Sequence, residues 1–176
     1  SHGWGFDKSF FLRLSQEFDH DLFDGIILDY GYFSNKYLPK VPENNKYIAI
    51  THSLGLANLL ETYPNLNWQK VIIISGFTKF INTSQEEVKL KNMIKSFKIN
   101  PALVLKQFYK MCEINCSPNL EKLNYNLLLY DLEKLALLDI SKKLNSLKNV
   151  AVIYGSQDKI KSPETIKEQF QEVNYI

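Results

Sequence analysis

Lys46-Tyr47-Ile48-Ala49-Ile50-Thr51-His52-Ser53-Leu54-Gly55-Leu56-Ala57-Asn58-Leu59-Leu60 is the stretch whose reading decides the fold. Its first half is a short apolar run rich in β-branched residues, the composition of a buried strand. Its second half carries apolar residues at helical spacing. Only five residues, 51–55, join the two halves. A strand that becomes a helix over so short a span turns a sharp corner. Ser53 stands at the tip, in strained backbone, with its hydroxyl pushed out at the sheet's edge. Gly55 suits a place where two backbones approach too closely for a side chain. A serine two residues before a glycine is also common in ordinary strand-to-helix turns, where it caps the helix, so the pentapeptide alone leaves both readings open.

A chain of 176 residues buries one good core, and one domain is expected. The formal net charge of +2 argues against a nucleic-acid binder driven by bulk charge. Lysine supplies nearly all the positive charge, Arg13 being the only arginine. The aromatic content of 13% suits a dense core or an apolar pocket. Cys112 and Cys116, four apart, read as small apolar residues on one helix face. No histidine lies near enough to complete a zinc site, and nothing suggests a disulfide scaffold. No metal or cofactor is expected. No apolar stretch approaches the length of a membrane span, and no signal peptide is visible. The expectation is a cytoplasmic monomer. The chain opens on a motif without an initiator Met, so native residues before Ser1 are expected.

Along the chain, Ser1-His2-Gly3-Trp4-Gly5-Phe6 is a glycine-punctuated loop. Residues 7–18 carry Phe10, Phe11, Leu14 and Phe18 at helical spacing, with Asp7 as N-cap. Residues 25–29 are a short apolar run ending in an acid, which predicts a buried strand. Residues 30–45 are irregular. After the 46–60 unit, which ends near Tyr63-Pro64, residues 71–75 predict another buried strand. This alternation predicts a parallel sheet with helices on both faces. Residues 78–147 break the rhythm: no strand is visible, and helices are expected over 86–97, 101–112 and 124–138. They form a helical cap between a first core part, 1–77, and a second, 148–176. Residues 150–154 restore the strand pattern. Ser162 as N-cap and Pro163 at the first helical position start a further helix. Residues 173–176 have the composition of one more strand.

These pieces, in this order, resemble the α/β-hydrolase superfamily. The likeness rests on His2-Gly3-Trp4-Gly5, the turn Asp29-Tyr30-Gly31-Tyr32, the corner around Ser53, residues 71–77 and residues 155–160. Within it, the His-Gly-Trp-Gly loop, the Ser-Leu-Gly corner and the run from Leu138-Asp139-Ile140 to Asp158 are most similar to the pimeloyl-acyl carrier protein methyl ester esterases of biotin synthesis. The chain departs from the pattern at Thr51, which replaces a glycine, in the turn after Asp29, which lacks the usual proline, and in a compact insertion.

The resemblance implies an α/β-hydrolase fold and a serine carboxylesterase. Ser53 becomes the nucleophile on its elbow. The backbone N–H groups of Trp4 and Leu54 form the oxyanion hole; the Trp4 indole reads equally as a pocket wall or a core aromatic. Asp158 becomes the acid that orients the base, against the alternative of a turn-forming Asp. No histidine follows Asp158. His2 reads as a brace of the oxyanion loop, His20 as a surface residue, and the side chain of His52 as turned away from Ser53. The catalytic histidine is expected beyond Ile176, on a longer native chain. Between residues 78 and 110, Lys79, Lys89, Lys91, Lys95, Lys98, Lys106 and Lys110 face only Glu86 and Glu87. That is a solvated helical face, or, as the resemblance implies, a surface on which Lys89, Lys91, Lys95 and Lys98 dock an acidic acyl carrier protein. A general small-ester hydrolase and a degenerate, non-catalytic binding module stand as alternatives.

Overall fold

A computed structural model describes residues 1–19, 21–114 and 120–171. His20, Cys116 and residues 173–176 lie outside the described residues. Three strands, β1 (Lys46–His52), β2 (Asn67–Ile74) and β3 (Val150–Ile153), form one parallel sheet in the order β1-β2-β3. The register sets Ala49 beside Val71 and Ile73 beside Val152. Val71, Ile73 and Val150 are buried, as the apolar β-branched runs require. β2 starts four residues before the expected 71, because Asn67, Trp68 and Lys70 already pair with β1 where Asn67, Gln69 and Lys70 interrupt the apolar run.

On the free side of β1, Ser1 bonds as a parallel neighbour would. Its amino group donates to the Ile50 carbonyl at 2.8 Å, and its own carbonyl accepts from His52 N at 2.9 Å. The glycine-punctuated loop therefore leaves the sheet at the end of β1 where Ser53 sits.

α2 (Gly55–Thr62) follows β1 as expected. The expected strand at 25–29 does not form. Among the described residues its ladder bonds are limited to the Asp29–Tyr37 pair, so no adjacent strand satisfies the backbone, and Gly25 and Ile26 are exposed. The expected helix over 7–18 is a 3-10 turn, Lys8–Phe11, followed by the short α1 (Leu12–Ser15). Asp7 caps it by accepting from Ser9 N at 2.8 Å. Leu14 and Phe18 stay partly in solvent, so burial does not carry the helix further.

The insertion is helical, with no strand among its described residues and only the Lys79–Asp139 bridge. α3 (Ser84–Ile99) opens on a capping box between Thr83 and Glu86. α4 (Pro101–Met111) has Pro101 in its first turn and the Asn100 side chain accepting from Leu103 N at 3.0 Å. α5 (Tyr125–Lys134) ends short of the expected 138, in a turn that leaves Leu137 93% exposed. Phe97, Leu105 and Leu128 belong to the same buried cluster as Leu56 and Ile73, so insertion and sheet share one core.

α6 (Ser141–Leu144) precedes β3, and α7 (Pro163–Gln169) is capped by Ser162, whose Oγ accepts from Thr165 N at 3.2 Å. Gln169 and Lys161 pin the root of the insertion. Gln169 Oε1 accepts from Thr78 N at 2.7 Å, and Lys161 Nζ donates to the Phe80 carbonyl at 3.0 Å and to Glu86 at 2.6 Å. Among the described residues no helix is long and apolar enough to cross a membrane.

Candidate active site

Ser53 has φ +53°, in the left-handed region that L residues avoid. Its N–H donates to the Ile74 carbonyl at 3.0 Å and its carbonyl accepts from Leu56 N at 3.3 Å, so strand and helix together hold the corner. A Cβ on Gly55 would lie 2.4 Å from the Ser1 carbonyl oxygen, which leaves room for glycine alone. Thr51, fully buried, turns its hydroxyl back to donate to the Ile72 carbonyl at 3.4 Å. The N-cap of α2 is Leu54, with no side-chain capping bond, so Ser53 is not spent as a capping serine. Its half-buried hydroxyl makes no hydrogen bond among the described residues.

The loop bearing Trp4 is pressed against this corner. A Cβ on Gly3 would lie 2.8 Å from Ser53 Cβ and 3.1 Å from the His52 carbonyl oxygen. Neither the Trp4 nor the Leu54 backbone N–H donates to an acceptor among the described residues. A free N–H is ordinary at a helix start, as at Leu54, and unusual at Trp4, which begins no helix. The Trp4 side chain is a core anchor: Nε1 donates to the Leu128 carbonyl at 2.8 Å, and the ring meets Phe97 and Phe108 edge-on. The Tyr109 hydroxyl donates to the Gly5 carbonyl, so α4 and α5 both fasten to this loop.

His2 braces the loop from within. Its Nε2 accepts from Tyr30 N at 3.1 Å, which makes Nδ1 the donor to the Gly3 carbonyl at 3.0 Å. Both nitrogens are spent. Next to it, burial works to raise the Asp29 carboxyl, but the His2 ring, Ser34 and the Gly31 and Lys8 backbones outweigh it and hold it well below the usual carboxylate range.

His52 stacks on Phe10 at 4.3 Å between ring centres and meets Phe6 edge-on at 5.3 Å. Burial, aided by the nearby His2, lowers it to about 4, and Nδ1 is buried without a partner. It makes no hydrogen bond to Ser53. Among the described residues no imidazole hydrogen-bonds to the Ser53 side chain. Asp158 follows β3 at the same carboxyl edge, with β2 between it and the Ser53 corner. Strands about 4.8 Å apart set the ends of β1 and β3 about 10 Å apart. Its Oδ1 accepts from Ile160 N at 2.8 Å and Lys161 N at 3.1 Å, a turn-forming arrangement, and nothing joins it directly to Ser53. The end of α4 lies over this turn. Lys159 pairs with Glu113 at 2.7 Å, and burial together with the Asp158 charge pushes the Cys112 thiol up to about 11.

Lys89, Lys91, Lys95 and Lys98 are all exposed on α3. They are not uniformly unpaired, as the local sequence suggests. Lys91 pairs with Glu87 at 2.5 Å and Lys98 with Glu133 of α5 at 2.7 Å, while Glu86 turns inward to Lys161. Lys89 and Lys95 form no ion pair among the described residues. Ser75, which the sequence offers only as the end of a strand, is a second non-glycine residue at positive φ, +45°, beside Ser53. A depression of about 270 Å³ lined by Leu60, Trp68, Lys143 and Lys148 does not touch Ser53, nor does a second along α5. Among the described residues no three His, Cys, Asp or Glu side chains gather as a metal site. No protein-family model matches the chain, and no curated protein matches it.

Proposed function

We propose that the chain is the core of a cytoplasmic serine carboxylesterase of the α/β-hydrolase fold, acting on the methyl ester of a pimeloyl chain carried by acyl carrier protein. The observation that carries this reading is the strained Ser53 between parallel β1 and α2, with the Gly3-Trp4 loop packed onto it. Ser53 attacks the ester carbonyl. The N–H groups of Trp4 and Leu54, which donate to no acceptor among the described residues, receive the developing oxyanion. Methanol leaves, and water hydrolyses the acyl-serine. Asp158 orients an imidazole that spans the interval between it and Ser53. His2 is spent on the loop and His52 is packed against Phe10 without a bond to Ser53, so neither is assigned as this imidazole. Lys89 and Lys95 supply the unpaired positive charge for an acidic carrier.

Ser53→Ala in the native protein is expected to lower ester turnover by several orders of magnitude with the fold intact; near-normal turnover would overturn the assignment. A general small-ester hydrolase would turn over free and carrier-bound esters alike. A non-catalytic binding module is favoured by the Asp158 carboxylate being committed to its own turn. It would give wild-type protein without turnover.

A further inference from the structure

We infer that Ser75 is a second hydroxyl of the Ser53 site, contacting the substrate and donating a hydrogen bond to the departing alkoxy oxygen of the ester. The inference rests on the esterase reading above. Ser75 follows β2 as Ser53 follows β1, and the register pairs His52 with Ile74, so the two serines are next-door neighbours on one edge. Each is clamped in the same way: Ser53 N donates to the Ile74 carbonyl at 3.0 Å, and Ser75 N to the Ile153 carbonyl at 2.8 Å. Each then enters the left-handed region, at φ +53° and +45°. Parallel strands that turn alike project their Cβ atoms alike, off the carboxyl edge.

Serine is not among the residues enriched at positive φ, and glycine would occupy the position without strain. Strained non-glycine residues gather where function holds them. Ser75 is half-buried, and neither hydroxyl hydrogen-bonds to the other or to anything else among the described residues. The pair therefore has donor capacity left for a third oxygen at this edge. In the acylation step the Ser53 Oγ–carbonyl carbon bond forms and the carbonyl carbon–alkoxy oxygen bond breaks. The proton lost by Ser53 passes through the imidazole base to the alkoxy oxygen, which leaves as the alcohol. Ser75 keeps its own proton throughout and stabilises the charge that builds on that oxygen before the proton arrives.

A donor of this kind matters in proportion to the basicity of the leaving group. Ser75→Ala and Ser75→Gly are therefore assayed in the native protein with a methyl ester and a p-nitrophenyl ester of the same acid. Removal of one donor to a developing oxyanion costs about 100-fold or more. The expected result is a loss of about 100-fold in kcat/KM on the methyl ester and less than about 3-fold on the p-nitrophenyl ester. Ser75→Gly also relieves the φ, so it melts no lower than wild type and carries the test if the alanine variant folds poorly. An equal loss on both esters, or no loss on either, overturns the assignment of Ser75 while wild-type turnover and Ser53 dependence keep the esterase reading standing. Wild-type protein that hydrolyses neither ester overturns both.

Discussion

Gly3→Ala tests how closely the loop must approach the nucleophile. The added methyl would sit 2.8 Å from Ser53 Cβ, 3.0 Å from His52 Nδ1 and 3.1 Å from the His52 carbonyl oxygen. Carbon atoms settle about 3.5–4.0 Å apart, so the loop has to retreat by roughly 0.7–1.2 Å. His52 cannot give way cheaply: its N–H is bonded to Ser1 and its ring is stacked on Phe10. Overpacking of this size costs about 1–3 kcal/mol. At about 2 kcal/mol, a chain of this length loses about 4–8 °C in Tm. On the proposed mechanism a misplacement near 1 Å costs about 100-fold in rate, because it falls on the Trp4 N–H assigned to the oxyanion. Calorimetry and kcat/KM on a simple ester measure both effects. Gly25→Ala is the control, because nothing lies within 4 Å of its added methyl. A Gly3→Ala protein that melts lower yet keeps wild-type kcat/KM would refute the role of this loop.

Trp4→Phe removes the indole hydrogen bond to the Leu128 carbonyl, which keeps its place in the α5 ladder, and chemical denaturation should show a loss of about 0.5–1.5 kcal/mol. Glu86→Gln leaves Lys161, only 2% exposed, without its counter-charge, and should cost about 3 kcal/mol by the same measurement. Reversal of Lys89 and Lys95 to Glu should weaken turnover of a carrier-bound ester and spare a free one, with high salt acting alike because exposed charges are screened over about 8 Å at physiological ionic strength; equal loss on both esters would point to damaged folding. His52 is held neutral by burial, with its folded value at about 4 below the ordinary 6.5. Its contribution to stability is complete above about pH 6.5 and is lost as pH falls towards 4, since the unfolded chain takes up the proton first. Urea midpoints of wild type and His52→Phe should therefore converge or cross over that window, and parallel curves would contradict it.

The corner at Ser53 was legible because its signals are local: a β-branched run, helical spacing and a glycine where the Ser1 and His2 carbonyls press in. The helix start at Ser162-Pro163 was legible for the same reason, since caps act within one turn. Contacts distant in sequence were not. Glu133 neutralises Lys98 from another helix, and Lys161 draws Glu86 inward from the far end of the chain. The strand expected at 25–29 has the right composition, but pairing depends on a neighbouring edge that composition does not report. Ser75 stood out only through its φ, a property of how β2 ends between β1 and β3. At Asp158 both sequence signals, the turn and the strand end, are present in the structure, and the sequence alone could not rank them.

The nucleophilicity of Ser53 is tested most directly by reacting the native protein with a fluorophosphonate probe and locating the adduct by mass spectrometry of the digested chain. The expected result is one adduct, on the peptide carrying Ser53, absent in Ser53→Ala and blocked by prior incubation with an ester substrate. An unlabelled Ser53, or equal labelling in the alanine variant, would contradict it.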